Sequence, residues 1–350
     1  MRVLFIAGSS NPLFDRLLKE LETIKFEVQL YKTDNISGKS RVILWLKLLS
    51  LATRDFIKIL RYDVDLVSIQ FFSVRNYLVS IMLAVFRVNY SISFWGSDYV
   101  SLSKRKYPFI KFILKNSKFL SFNNRDYMAE CERVFSNVTK ICELRFGLGL
   151  LDDIDDIVLS ESSEAGVAER KKVMIGTNAS PNQQHLKLIE VLDSHCELLN
   201  DFEFVFHMSY GDRRNRELVK TRLRDANFKS KVDESFYTGA ELAQFRLKTD
   251  ILVQLQENDA LSGAMQETIY AGGVVITGSW LPYDLLRDRG ISWIEVDTLN
   301  DLSDALIKAK GYRPDVNRNR EIIRSVSSWK KIVIEWAEAF RSTSGIKTES

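Results

Sequence analysis

The chain has 350 residues, 45% of them hydrophobic and 27% charged, with a formal net charge of +3; this length and apolar content suit about two compact domains and exclude a disordered or fibrous chain. Its three cysteines, Cys131, Cys142 and Cys196, are odd in number and lack CxxC spacing, which argues against a disulfide framework or a zinc site and for a reducing, cytoplasmic setting. MRVLFIAGSS at the start has too short an apolar core for a signal peptide, and no window approaches ~18 uninterrupted apolar residues, so the chain is expected to be neither exported nor membrane-spanning.

Charge is unevenly spread. Residues 1–150 carry about 23 Lys/Arg against 13 Asp/Glu, and the remainder about 26 against 33. A basic first half suits an anionic partner, either nucleic acid or an anionic membrane surface. No zinc finger, RNA-binding aromatic motif or helix-turn-helix signature is present, which sets nucleic acid aside.

In chain order, Val3-Leu4-Phe5-Ile6-Ala7 reads as a buried parallel strand running into the small-residue turn Gly8-Ser9-Ser10, and Leu13 to Thr23 has helical spacing. Glu27 to Tyr31, Leu66 to Gln70 and Tyr90 to Phe94 are further short strands separated by helical stretches, an alternation that predicts a doubly wound α/β domain. Gly8 stands alone, so the dinucleotide fingerprint GxGxxG is absent. Val42 to Leu49, with Lys58 and Arg61 behind it, combines apolar and basic residues. After Pro108, Lys111, Lys115 and Lys118 form one basic stripe which, with Lys104, lies beside Phe109, Phe112 and Ile113. Both segments suit an anionic membrane surface, and equally helices whose apolar side faces a core.

LDDIDDIVLSESSEAGVAER, from Leu151 to Arg170, is acidic and weakly periodic, as expected of an interdomain connection. A second α/β unit follows, with strands at Lys172 to Ile175, Phe204 to Met208, Ile251 to Leu255 and Val274 to Thr277. Arg318 to Phe340 is helical in pattern, with Trp329 and Trp336 on its apolar stripe. The expected division is 1–155, a linker 156–170, a second domain 171–315 and a helical tail 316–350.

The segment QENDALSGAMQETIYAGG, from Gln256 to Gly273, leads from a strand through a loop carrying Asp259 into a short helix that Ser262 or a neighbour would cap and Ala271-Gly272-Gly273 would stop. At ~100° per residue, eight helical residues turn a side chain by ~80° from its starting direction. Asp259 and Glu267 therefore suit a loop position and a helix position, with the free N–H groups of the helix start between them. Such N–H groups favour a diphosphate, and carboxylates accept hydrogen bonds from sugar hydroxyls.

Asp259 and Glu267 with seven residues between, followed by TIYAGGVVITG and LPYDLL, resemble the E-x7-E region of GT-B glycosyltransferases, particularly the retaining family 4, with Asp259 standing for the first glutamate. Phe94-Trp95-Gly96-Ser97-Asp98 resembles the HGSD-like loop of the same enzymes and, more specifically, the WGxD loop of the bacterial transferases that add 4-acetamido-4,6-dideoxygalactose to enterobacterial common antigen lipid. Gly176-Thr177-Asn178-Ala179-Ser180 with His185 resembles the GNS strand end and N-x-H of those transferases, and His207-Met208-Ser209-Tyr210 resembles their Met-x-Tyr turn. Family 4 would supply Arg and Lys after Gly176. This chain has neither there, which leaves His185, Arg213, Arg214 or helix N–H groups to supply positive charge.

The resemblance implies an α/β GT-B fold of two Rossmann-like doubly wound domains facing a cleft, the second holding a nucleotide sugar and the first a glycan acceptor. On that reading Asp98, Asp259 and Glu267 are catalytic. Gly176, Asn178, Ser180, His185, Met208, Tyr210, Leu261, Ser262, Gly263 and Glu267 bind the donor, and Gly8, Ser9, Trp95, Gly96 and Ser97 lie on the acceptor side. No cofactor or metal is implied. The expected partners are a nucleotide sugar, a lipid-linked glycan and an anionic membrane surface, in bacterial surface polysaccharide synthesis at the inner face of the plasma membrane. Retention follows from the acidic motif and inversion from the aminosugar transferases, so stereochemistry stays open. A sugar-nucleotide epimerase or hydrolase, or a non-catalytic binding or scaffold protein of the same fold, is the alternative.

Overall fold

The computed structural model describes residues 1–8, 12–33, 41–104, 109–123, 125–135, 139–160, 170–259 and 261–343. Contacts divide the chain into two units, Met1–Gly147 with Trp329–Ser350, and Leu148–Ser328.

In the first unit β1 (Arg2–Ala7), β2 (Glu27–Lys32), β3 (Leu66–Gln70), β4 (Tyr90–Phe94), β5 (Phe119–Phe122) and β6 (Lys140–Glu143) form one parallel sheet in the order β2-β1-β3-β4-β5-β6. Helices cover both faces, so central strands are buried on both sides and read as continuous buried runs. Leu4, Ile6, Val67, Ile69, Ile92 and Phe94 point into one core, beneath helices Arg41–Ile59 and Val74–Val85. Val3, Phe5, Leu66 and Phe119 point into the other, where Phe14 of helix Pro12–Thr23 and Trp329, Trp336 and Phe340 of helix Trp329–Arg341 pack. Burying each such large side chain contributes roughly 1.5–3 kcal/mol. The hydroxyls between them pair with one another: Ser121 Oγ donates to Ser93 Oγ (2.7 Å), and Gln70 Nε2 to Ser68 Oγ (2.9 Å) and Ser93 Oγ (3.1 Å).

The second unit carries β7 (Lys171–Ile175), β8 (Phe202–His207), β9 (Ser230–Asp233), β10 (Ile251–Gln254), β11 (Val274–Gly278) and β12 (Ile294–Val296), again all parallel, in the order β12-β11-β10-β7-β8-β9. Its first strand is central and pairs with its fourth. The order therefore reverses between β7 and β10, as in the Rossmann fold.

Two boundaries differ from the sequence expectation. Residue 155 falls inside helix Leu150–Ser160, whose Leu150, Leu151 and Ile154 enter the core of the second unit, so the chain crosses between units at Gly147 and Leu148; residues 161–169 of the expected linker lie outside the described residues. The tail is two helices. Ser328 is extended (φ −70°, ψ 145°) and ends helix Val316–Ser327, whose Ile323 and Val326 belong to the second unit, while helix Trp329–Arg341 belongs to the first. Arg145-Phe146-Gly147, without a role in the sequence reading, receives this last helix: Trp336 Nε1 donates to the Arg145 carbonyl (2.8 Å), and the Phe146 ring lies 6.0 Å from that of Trp336.

Candidate functional site

A cavity of about 510 Å³ opens in the second unit where β7, β8 and β10 end. Strands on either side of the order reversal send their connections to opposite faces of the sheet, which leaves a crevice at their carboxyl ends. Thr177, Asn178 and Ser180 line it from behind β7, Ser209 and Tyr210 from behind β8, and Gln254, Gln256 and Asp259 from β10 and its loop.

Helix Gly263–Ala271 begins at the cavity wall. Ser262 caps it, its Oγ accepting from Met265 N (3.1 Å), and Gly272 ends it in the left-handed region (φ 96°), both as the sequence reads. Met265 N is taken by the cap and Gln266 N by the Ser262 carbonyl (3.3 Å). The N–H groups of Gly263 and Ala264, both at the cavity, have no acceptor among the described residues. This is a helix start ready for an anion.

The two acids sit as their spacing predicts, Asp259 in the loop and Glu267 one turn into the helix. Asp259 Oδ2 accepts from Tyr283 Oη (2.7 Å) and Gln256 Nε2 (2.9 Å). Burial, and after it the Asp259 charge, raises the Tyr283 pKa, which keeps the phenol a donor. Glu267 Oε2 accepts from Arg246 Nε (3.0 Å), the two side chains being 13% and 5% exposed. Arg246 comes from helix Gly239–Leu247; the other contact of its guanidinium is a long one to Met174 Sδ (3.6 Å), and Glu267 is its one oxygen acceptor among the described residues. One cationic group, two carboxylates and two open N–H groups therefore share a cavity.

Sequence reasoning missed Arg246, since the text FRLKTD carries no period or motif that singles it out. It also missed Gln254 and Gln256, although polar residues around Leu255 at the end of a buried strand are a usable signal.

Three expected donor residues are corrected. His185 is buried, and burial lowers its pKa to about 4 against the weaker pull of the Ile175 backbone. Neither ring nitrogen reaches a partner at hydrogen-bonding geometry, so the ring is neutral and supplies no charge near pH 7. Gly176 does not line the cavity. It adopts φ +66°, and a Cβ there would lie 2.6 Å from His185 Nε2, so its place is to let the turn close over that ring. Met208 is wholly buried in the core beside Phe206 and Val219. Asn178, Ser180, Tyr210, Leu261, Ser262, Gly263 and Glu267 do line the cavity. Asn178 Oδ1 accepts from Ser180 N (2.8 Å) and Ser180 Oγ from Asn182 N (3.3 Å), so these side chains also shape the loop. Tyr210 is 55% exposed at the wall, its ring 6.5 Å from that of Phe236.

In the first unit the loop after β4 is held by Asp98. Its Oδ1 accepts from the N–H groups of Trp95 (2.9 Å), Gly96 (3.0 Å) and Tyr99 (3.0 Å), and its Oδ2 from Phe72 N (2.7 Å). Burial raises its pKa against the pull of these backbone donors. The expectation of a catalytic carboxylate at the strand mouth is thereby corrected: this buried group clasps two loops together. Gly96 adopts φ +114° within the clasp, and Trp95 Nε1 donates to Gln70 Oε1 (3.3 Å). Gly8 ends β1 with open space where a Cβ would stand. Ser9 lies outside the described residues, and Ser97 begins helix Ser97–Lys104 with its side chain outside them.

No family model matches the sequence, and no curated protein does. Solved structures do resemble the fold. A glycosyltransferase from Rickettsia africae superposes with a TM-score of 0.74 at 11% identity over 99% of both chains. An α,α-trehalose-phosphate synthase (UDP-forming) from Burkholderia vietnamiensis gives 0.73 at 12% identity over 98% of both. An E. coli structure described as trehalose-6-phosphate bound with UDP-2-fluoro glucose gives 0.70 at 9% identity, over 99% of this chain and 100% of that one. With two six-stranded parallel sheets flanked by helices and this likeness along nearly the whole chain, the protein has the GT-B fold.

Proposed function

We propose that the protein is a glycosyltransferase that moves a sugar from a nucleoside diphosphate to a glycan acceptor. The observation that carries this reading is the convergence, at the order reversal of the second sheet, of the open Gly263 and Ala264 N–H groups, the buried Arg246–Glu267 pair and Asp259. Breaking the bond from the anomeric carbon to the diphosphate leaves negative charge on the leaving phosphate, and donors fixed in place before the reaction stabilise it without reorganising. Arg246 supplies the cation that residues 176–185 lack. Glu267 would accept from the ribose and Asp259, held by Tyr283 and Gln256, from hydroxyls of the transferred sugar. The similar E. coli structure carries a UDP-sugar analogue, which favours the same class of donor here. A lipid-linked acceptor and a place in bacterial surface polysaccharide synthesis, such as O-antigen or capsule, extend the proposal; they rest on the Trp95-to-Asp98 resemblance to aminosugar transferases.

Thermal unfolding against a panel of UDP-, GDP-, ADP- and dTDP-sugars tests the core of the reading. A ligand at about a hundredfold its Kd stabilises by about 2.7 kcal/mol, which for a unit of this size raises Tm by roughly 5–10 °C. A panel in which no member raises Tm refutes it.

A further inference from the structure

One helix layer of the first unit carries apolar and basic groups on its outer surface and no exposed acid. The layer consists of helix Arg41–Ile59 continued to Arg61, helix Val74–Val85 with Phe86 and Arg87, and the segment from Phe109 through helix Ile110–Asn116 to Lys118. Neighbouring helices touch in that order, and the rings of Phe56 and Phe86 lie 5.0 Å apart. The three segments contain a single acidic residue, Asp55, which is buried and takes hydrogen bonds from Arg75 Nε (2.5 Å) and Tyr31 Oη (2.7 Å). The next acids, Asp63 and Asp65, pair with Arg2. Helices elsewhere in the unit mix both signs, as in Arg16 with Glu20 and Lys331 with Glu335.

The outward residues of the first helix are sorted. Leu60 N and Arg61 N still bond to the Phe56 and Lys58 carbonyls, so the helical phase runs on to residue 61. At ~100° per residue, Leu46, Leu49, Ile57 and Leu60 share an arc of about 80°, and Lys47, Arg54, Lys58 and Arg61 share the adjoining arc of about 60°. All eight are exposed, Leu46 by 64%. Beyond this helix Phe86 is 65% exposed beside Arg87, and Phe109 is 65% exposed beside Lys111 and Lys115. Large apolar side chains exposed together on one helix layer mark an interaction site. A protein partner would cover the apolar groups and leave the cations to find acids one by one, whereas a bilayer with anionic headgroups takes both at once, apolar groups at the acyl boundary and cations at the phosphates. We infer that this layer docks on an anionic lipid bilayer, held in the interface plane, since no helix among the described residues is long and apolar enough to cross it.

The inference joins the two segments read from the sequence, Val42 to Arg61 and the lysine stripe after Pro108, to a third, helix Val74–Val85 with Phe86 and Arg87; the side chain of Lys104 lies outside the described residues. It does not depend on glycosyl transfer. The test is sedimentation of the full chain with phosphatidylcholine vesicles, with and without phosphatidylglycerol. Each lysine near an anionic surface contributes about fivefold in affinity, so Lys47→Gln, Lys58→Gln, Lys111→Gln and Lys115→Gln together should weaken binding on the order of several-hundredfold. A control with Lys19→Gln, Lys25→Gln and Lys330→Gln removes charge from other exposed faces of the same unit and should leave binding nearly intact. Leu46→Ser with Leu49→Ser should weaken binding while leaving thermal unfolding unchanged. The inference is overturned if the wild-type chain ignores phosphatidylglycerol, if the control weakens binding as much as the quadruple variant, or if the serine pair has no effect.

Discussion

Replacing Arg246 by Met removes the guanidinium and keeps most of the side-chain volume, and the burial of its partner sets the cost. Arg246 and Glu267 are 5% and 13% exposed and meet at 3.0 Å. Removing one partner of so buried a pair leaves an uncompensated charge and costs about 3–5 kcal/mol. Arg246→Met should therefore be strongly destabilising, and Glu267→Gln, which strands the guanidinium, nearly as much. Arg246→Met combined with Glu267→Gln leaves no bare charge and should recover most of the loss, although neither substitution restores the other's partner.

Urea unfolding of the four proteins reads this directly, and ligand binding reads the functional half. A hydrogen bond to a charged group is worth about 1.5–3 kcal/mol. In conditions where each variant is folded, Arg246→Met should thus weaken the nucleoside diphosphate by roughly ten- to a hundredfold, while affinity for the nucleoside alone barely moves. If the double variant loses the sum of the two single losses, the pair is not coupled and the buried-charge reasoning is wrong. If diphosphate and nucleoside weaken alike, Arg246 shapes the cavity and does not hold the phosphates.

Other parts of the molecule give further expected outcomes. Asp98→Asn turns an NH2 group toward the Phe72 or Trp95–Tyr99 donors, and each buried donor left unpaired costs about 1–3 kcal/mol; urea unfolding should show the loss while nucleotide binding is unchanged, and a variant of wild-type stability refutes the clasp. His185 takes up a proton near pH 6.5 when unfolded and only at about 4 when folded, so the stability it contributes is present above pH 6.5 and falls as pH drops toward 4, by about 3 kcal/mol in all. His185→Leu should flatten that part of the pH–stability profile, and an unchanged slope assigns it to other groups. Asp259→Asn and Tyr283→Phe should weaken the full nucleotide sugar but not the free nucleoside diphosphate by calorimetry; equal losses for both ligands would remove Asp259 from the sugar.

Parallel topology and the helix at Gly263 were legible because they rest on local signals: apolar runs of strand length, a serine cap, and glycine where a helix must stop. The polar members β6 and β9 were not, since edge strands such as Lys140–Glu143 and Ser230–Asp233 carry little apolar pattern and are fixed by pairing with a neighbour distant in sequence. The tail looked continuous because an apolar stripe runs through both helices; the break at Ser328 arises because each half finds a different core. His185 and Met208 misled for one reason. A residue type that suits a ligand sat in the connection leaving a strand, directly after it for Met208 and at the head of the next helix for His185, and sequence position cannot tell which side chains of that connection face the crevice.

The place of the positive charge has its origin in the same geometry. The turn after β7 closes over a buried neutral histidine, and Gly176 has no room for a Cβ beside that ring. A lysine or arginine at 185 would need its charge either buried beneath the turn among Phe206 and its neighbours or threaded past Gln183. The cation that does line the cavity comes from another element: Arg246 of helix Gly239–Leu247, whose burial the carboxylate of Glu267 compensates before any ligand arrives. On the proposed reading, the carboxylate that would meet the ribose also holds in position the cation that would meet the phosphates, which would tie the two halves of donor recognition to a single ion pair.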